Sequence, residues 1–147
     1  MNFNKVVSPL NESEFKEYYY FRWQYLRKDL NQKLGSERDD SENISIHRMV
    51  KNNNGEIIGV GRLHKVSLDI YQVRFFAIHK DYRLIGLGRY LMNDLEKIAI
   101  HKKACYVTLN SRENAIKFYK KLDYKISKKT HLLYKKIQHY EMTKKII

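Results

Sequence analysis

The stretch from Tyr71 to Lys102 constrains the fold of this chain more than any other. It opens with Tyr71-Gln72-Val73-Arg74-Phe75-Phe76-Ala77-Ile78, a run of β-branched and aromatic residues that reads as a buried strand. The polar connection His79-Lys80-Asp81-Tyr82 follows, and then Arg83-Leu84-Ile85-Gly86-Leu87-Gly88. From Arg89 to Ile100, Leu91, Leu95, Ile98 and Ala99 recur at helical spacing. The first turn of a helix leaves backbone N–H groups unpaired at the positive end of its dipole. Gly86 and Gly88 carry no side chain to keep a phosphate away from those groups, and Arg83 and Arg89 flank them with guanidinium. The segment therefore predicts a pyrophosphate cradle. The plainer reading is a strand-to-helix turn with two glycines. No Gly-Lys-Ser/Thr follows, so it is not a nucleotide P-loop, and Leu91 stands where a dinucleotide fingerprint needs its third glycine.

Around this segment the pattern alternates. Phe3 to Val7 reads as a short strand ended by Pro9. Asn11-x-x-Glu14 resembles a capping box, and Phe15, Tyr18, Tyr19, Arg22, Tyr25, Leu26 and Leu30 predict a helix from Glu12 to Leu30, with Trp23 off the main stripe. Asn31 to Ser41 reads as a loop or a short helix. Strands are predicted at Ile44–Lys51 and Glu56–Lys65, joined by the hairpin signal Asn52-Asn53-Asn54-Gly55; Gly59 and Gly61 hint at a bulge or a close approach. Three antiparallel strands thus precede the phosphate turn. After it come a strand at Ala104–Leu109, parallel to the Tyr71 strand because a helix joins them, and a helix at Glu113–Leu122. Strands at Tyr124–Ser127 and Ile137–Thr143 follow, with a basic polar loop between. The expected class is α/β, with a central mixed sheet and helices on both faces, as one domain over residues 1–147.

Composition narrows the function. The 43% apolar content and the full set of aromatics suit a packed core. The formal charge of +13 suits an anionic partner, but no run of five basic residues appears, so nucleic acid is a poor fit. Cys105 is the only cysteine, which rules out an intrachain disulfide and suits a reducing compartment. The N-terminus has no apolar signal core and no run approaches a membrane span, so a cytoplasmic protein is expected. The six histidines lack ligand spacing, and no metal is expected.

Phe76-Ala77-Ile78-x4-Arg83-x-x-Gly86-x-Gly88 resembles motif A of the GCN5-related N-acetyltransferases, the GNAT superfamily. Leu109-Asn110-Ser111-Arg112-Glu113-Asn114-Ala115-Ile116-Lys117-Phe118-Tyr119 resembles its motif B, in family order and at family spacing. Arg22-Trp23-x-x-Leu26-Arg27-Lys28, followed by Gly35-Ser36-Glu37-Arg38-Asp39, is similar to the acetyltransferase domain of certain two-domain acetyltransferase–thioesterase proteins.

The resemblance implies a GNAT-like fold with a splayed parallel strand pair, and acetyl-coenzyme A as co-substrate. The acetyl group would pass directly to a primary amine in a ternary complex. Cofactor contacts would come from Phe76, Ala77, Ile78, Arg83, Leu84, Ile85, Gly86, Leu87, Gly88 and Arg89, with Asn114 on the pantetheine arm. Ala77 and Ile78 match the positions that supply backbone N–H to the oxyanion, and Tyr119 matches the general acid. Gln72 stands where some members carry a carboxylate base, leaving His64, His139 or a water chain to take the proton. The first helix and the loop after it border the acceptor pocket in the family, so Arg22, Arg27 and Arg38 would bind an acidic acceptor or form a solvated basic face. The net charge favours a carboxylate-bearing acceptor over a polyamine. Cys105, inside a strand with no base nearby, argues against a covalent thiol route. Dimers are common in the family. The alternatives are a non-catalytic coenzyme A-binding sensor or interaction module and a basic nucleic-acid-binding protein.

Overall fold

The computed structural model describes residues 3–147. Asn11 starts the first helix: its side chain accepts from the Glu14 N–H at 2.8 Å and donates to Glu14 Oε1 at 3.2 Å. Such caps satisfy N–H groups that the helix leaves unpaired. The helix α1 (Glu12–Leu26) stops short of the predicted Leu30, because Arg27 leaves the helical region at φ −131°. Lys28–Leu30 continues only as a 3-10 turn, closed by Asn31 at φ 57°. The predicted strand at Phe3–Val7 is reduced to one bridge, Val7 to Met49. A 3-10 turn at Glu42–Ile44 delays the next strand, so β1 is Ile46–Lys51.

β1 pairs antiparallel with β2 (Ile57–Lys65) through the expected hairpin. Asn52 Oδ1 accepts from the N–H groups of Asn54 and Glu56, and Gly55 takes φ 81°. Pairing steps from Val50–Gly59 to Lys51–Ile57, which makes Ile58 a bulge residue beside Gly59. β3 (Ile70–Ile78), α2 (Leu87–His101), β4 (Tyr106–Arg112) and α3 (Ile116–Lys121) follow, with a 3-10 turn at Glu113–Ala115 before α3. β5 (Lys125–Leu133) and β6 (Ile137–Lys145) complete a six-stranded mixed sheet in the order β1-β2-β3-β4-β6-β5. Its parallel pair is β3 with β4, registered from Ile70–Tyr106 to Val73–Leu109.

The predicted basic loop after Ser127 is mostly strand. Leu133 pairs with Ile137 across a three-residue connection, and the Lys136 N–H donates to the Leu133 carbonyl at 2.9 Å, closing a turn in which Tyr134 and Lys135 both take positive φ, 49° and 58°. Neither residue is a usual choice there, so no hairpin signal is legible at this turn. β5 ends the sheet order, and Lys125, Lys128 and Lys129 on it are exposed.

The chain resolves into two compact units: one runs to His64 and adds Phe75–Leu95, the other is Lys65–Arg74 with Glu96–Ile147. In the first unit, α1 covers one face of the strands through Tyr18, Phe21, Met49, Val60 and Ala77. α2 covers the other through Val50, Ile58, Ile78, Leu87 and Leu91. Met49 with Val50, and Ala77 with Ile78, are neighbours that bury on opposite faces, as strand geometry requires. Gly61 lets α2 approach: a Cβ there would lie 2.9 Å from Leu95 Cδ1 and 3.2 Å from the Phe76 ring. In the second unit, Val107, Leu109, Leu122, Tyr124 and Met142 are buried. Glu96, also buried, accepts from the Tyr124 hydroxyl at 2.9 Å and Lys144 Nζ at 2.8 Å.

Candidate active site

The turn before α2 belongs to the first unit. Arg83 is extended, and its Nε donates to the Ile78 carbonyl at 3.1 Å. Leu84 and Gly86 both sit in the left-handed region, at φ 63° and 92°. Left-handed residues in a tight turn bring successive N–H groups to one side, forming a concavity for an anion. Arg83, Leu84, Ile85 and Gly86 are exposed, and a Cβ built on Gly86 would meet nothing within 4 Å. Leu87 is fully buried and anchors the helix start against Val50 and Ile58. Gly88 and the exposed Arg89 lie in the first turn of α2, which carries no acidic residue to repel an anion. The donors, the open space and the charge balance all fit a diphosphate.

Immediately upstream, Phe75 takes φ 50°, a strained value for an aromatic residue inside a strand. Three guanidinium groups surround its ring, with Arg22 at 4.4 Å, Arg62 at 5.0 Å and Arg27 at 5.6 Å from the centroid. Phe76 after it is half-buried, and Ala77 and Ile78 are buried. Arg22 has no exposed surface: it donates to Glu42 Oε1 at 2.9 Å, the Tyr18 hydroxyl at 2.9 Å and the Glu37 carbonyl at 3.3 Å. Arg27 is buried too and donates to the Ser36 and Leu26 carbonyls. The solvated-face reading therefore does not hold for either arginine. Arg38, half-exposed, stacks its guanidinium 4.0 Å above the Tyr19 ring. Trp23, off the main stripe, donates to the Gln32 carbonyl at 2.8 Å.

Arg62 escaped the sequence reading. It is wholly buried and binds Asp39 in a two-point grip, at 2.6 and 3.1 Å, while reaching Glu42 Oε2 at 2.9 Å. The signal was an arginine between Gly61 and Leu63 in an otherwise apolar strand. Burial depresses the pKa of His47, and the nearby Arg22 charge adds to this, against the raising effect of its bond to the Glu42 carbonyl. Tyr18, buried beside it, is pushed up to about 12 by loss of hydration, with Arg22 opposing. His64, half-buried at the end of β2, has Nδ1 3.4 Å from Arg62 Nη2.

The second unit holds the remaining candidates. Tyr119 is buried on α3 between Phe118, at 4.9 Å, and Tyr124, at 5.9 Å. Loss of hydration raises its pKa, and the charge of Arg112 opposes the rise. Arg112 closes β4 and pairs in register with His139 of β6. The end of β4 thus gathers Tyr119, Arg112 and His139. His139 is buried, stacks on His131 at 4.4 Å, and has Nδ1 3.1 Å from the Ile137 carbonyl. Asn114 is exposed in the 3-10 turn before α3. Gln72 is half-buried in β3. Cys105 is not inside a strand: it precedes β4, at the end away from Arg112, with Sγ 4.0 Å from Asp69 Oδ1. Among the described residues no group of three or more His, Cys, Asp or Glu could hold a metal ion, and no helix is long and apolar enough to cross a membrane.

Comparison with known proteins bears on the family and the fold. Residues 9–124 match the model of the acetyltransferase (GNAT) family. The chain is 30% identical over 140 residues to the Bacillus subtilis (strain 168) protein YjcF, an uncharacterized N-acetyltransferase, covering 95% of this chain and 99% of that one. Its fold is similar to an acyl-CoA N-acyltransferase from Pseudomonas aeruginosa, with a TM-score of 0.80 at 16% identity over 97% of this chain and 99% of the other. It is also similar to a GNAT family acetyltransferase from Elizabethkingia anophelis with acetyl-CoA bound, with a TM-score of 0.74 at 13% identity over 96% and 97% of the two chains. On the family match and the full-length kinship with YjcF, this chain belongs to the GNAT family of acetyltransferases.

Proposed function

We propose that the protein transfers an acetyl group from acetyl-coenzyme A directly to a primary amine, with both substrates bound together. The observation that carries this reading is the turn Arg83–Gly86, whose two left-handed residues head a helix free of acidic residues in its first turn. The N–H groups at the start of α2, with Arg83 and Arg89, would hold the diphosphate, and Asn114 the amides of the pantetheine arm. Bound acetyl-coenzyme A supplies an activated thioester. Backbone N–H groups of the Ala77–Ile78 segment would polarise its carbonyl; each such donor contributes on the order of 10²–10³ in rate.

Tyr119 would give a proton to the departing thiolate. Its raised pKa keeps it protonated at neutral pH, and the Arg112 charge restrains the rise that would otherwise weaken it as an acid. Of the two histidines, His139 suits the base better. A carbonyl only accepts, so the Ile137 contact fixes the proton on Nδ1 and leaves the lone pair on Nε2. His64 has its Nδ1 beside the Arg62 guanidinium, which only donates, so the lone pair of that nitrogen is already engaged.

Calorimetry with acetyl-coenzyme A, followed by thiol release across a panel of amines, tests the proposal. Binding with amine-dependent thiol release that falls in Tyr119→Phe supports it. Binding without turnover of any amine would favour a coenzyme A sensor, and salt-sensitive nucleic-acid binding without acetyl-coenzyme A affinity would overturn it.

A further inference from the structure

In the first unit, α1, the loop 34–38 and the β1–β2 turn enclose an open groove of about 620 Å³, the size of a small-molecule site. Tyr19, Tyr20 and Leu34 supply apolar wall. Glu37 lines it as well, with its side chain only 3% exposed. One of its oxygens, Oε1, accepts from the Gly35 N–H at 2.8 Å. The other, Oε2, is buried and has no hydrogen-bond partner. Buried carboxylate oxygens ordinarily have donors, so this one has an acceptor position to offer a ligand N–H.

The chain itself shows which chemistry fits. The Arg38 guanidinium stands 3.4 Å from Oε2, out of line for a hydrogen bond, and 4.0 Å above the Tyr19 ring. With its side chain 53% exposed, Arg38 is a cation resting against both a carboxylate and an aromatic face, and it is able to swing into solvent. Around the groove Glu17, Glu37 and Glu56 outnumber Lys16 and Arg38, although the whole chain carries +13. A carboxylate ligand that displaced Arg38 would meet the Glu37 carboxylate, so the local charge reverses the preference for an acidic acceptor that the net charge suggests.

We propose that this groove binds an organic ammonium ion with an apolar or aromatic body, its N–H groups on Glu37 Oε2 and its charge over the Tyr19 ring, displacing Arg38. That this ion is the amine acceptor of acetyl transfer rests on the function proposed above; the binding itself does not. The test is calorimetry of the full chain at neutral pH with 2-phenylethylamine, 2-phenylethanol and phenylacetate. The amine binds, and the alcohol and the carboxylate bind about tenfold more weakly or worse. Glu37→Gln keeps an acceptor for the Gly35 N–H and removes the charge, so the amine loses its advantage while the alcohol is unaffected. Arg38→Ala, which leaves Glu37 in place and does not depend on Glu37→Gln folding, tightens the amine.

Equal affinity for amine and alcohol, no amine binding, or an amine preference that survives Glu37→Gln overturns the site. Thiol release separates the two claims. If 2-phenylethylamine binds through Glu37 but no amine is acetylated in the presence of acetyl-coenzyme A, the ammonium site stands and the acetyltransferase reading fails. If amines are acetylated without any Glu37-dependent preference, the reverse holds.

Discussion

Arg22 and Arg62, neither with any exposed side-chain surface, grip the two oxygens of one carboxylate: each guanidinium lies 2.9 Å from an oxygen of Glu42. Arg62 keeps a second carboxylate partner in Asp39, whereas Arg22 draws its countercharge from Glu42, a residue of a short 3-10 turn. Removing one partner of a buried pair leaves an uncompensated charge, which costs about 3–5 kcal/mol. Glu42→Ala should lower the free energy of unfolding by about that much, read by urea denaturation. The same pair flanks the Phe75 ring at the strained φ of 50°, so acetyl transfer should fall as well.

The same cluster sets a pH dependence. His47 has a folded pKa below its ordinary 6.5, chiefly from burial. A neutral native form means that the unfolded chain takes up the proton first as pH drops. The stabilising contribution is complete above about pH 6.5 and is lost as pH falls from there toward the depressed folded value. Denaturation midpoints between pH 8 and pH 5 should show the loss, and His47→Asn should flatten that part of the profile.

Tyr119→Phe removes the hydroxyl and keeps the ring between Phe118 and Tyr124. The proton donor is lost, so kcat should fall by on the order of 10²-fold. Acetyl-coenzyme A affinity measured by calorimetry should be unchanged, which separates a chemical role from a packing one.

Gly86→Ala tests the phosphate turn. The position has open space around it but φ 92°, so the penalty comes from the backbone rather than from a clash. The left-handed conformation costs about 1–2 kcal/mol for a residue with a Cβ. Weaker acetyl-coenzyme A binding by calorimetry is expected, together with a small drop in thermal midpoint.

Gly61→Val tests the packing of α2. A Cβ alone would lie 2.9 Å from Leu95 Cδ1, and branching extends the overlap toward the Phe76 ring. Overpacking of this kind costs about 1–3 kcal/mol, measurable by chemical denaturation.

The sequence disclosed the parts of this molecule that follow local rules. The strand–turn–helix around Gly86, the Asn11 cap and the Asn52–Gly55 hairpin each depend on a few adjacent residues, and each lies where expected. The β5–β6 hairpin was hidden because Tyr134 and Lys135 adopt positive φ without the residues that usually announce it. The helix ends earlier than its periodicity suggests because Arg27, a good helix former, leaves the helical region and turns its side chain toward the Ser36 carbonyl of the following loop. Arg62 and its carboxylates were illegible because Asp39, Glu42 and Arg62 meet only after the chain has folded back through β1. Nothing in the residues around Glu37 signals that one of its oxygens lacks a hydrogen-bond donor in the fold.

The lysine row along β5 has a consequence for life in a crowded solution. A terminal strand offers its unused backbone groups as a template, and a second copy of this chain docking there would bring ammonium against ammonium. Replacing Lys125, Lys128 and Lys129 with threonine should leave the fold intact yet produce filaments or precipitate, so the outermost strand acts as a guard against its own duplication.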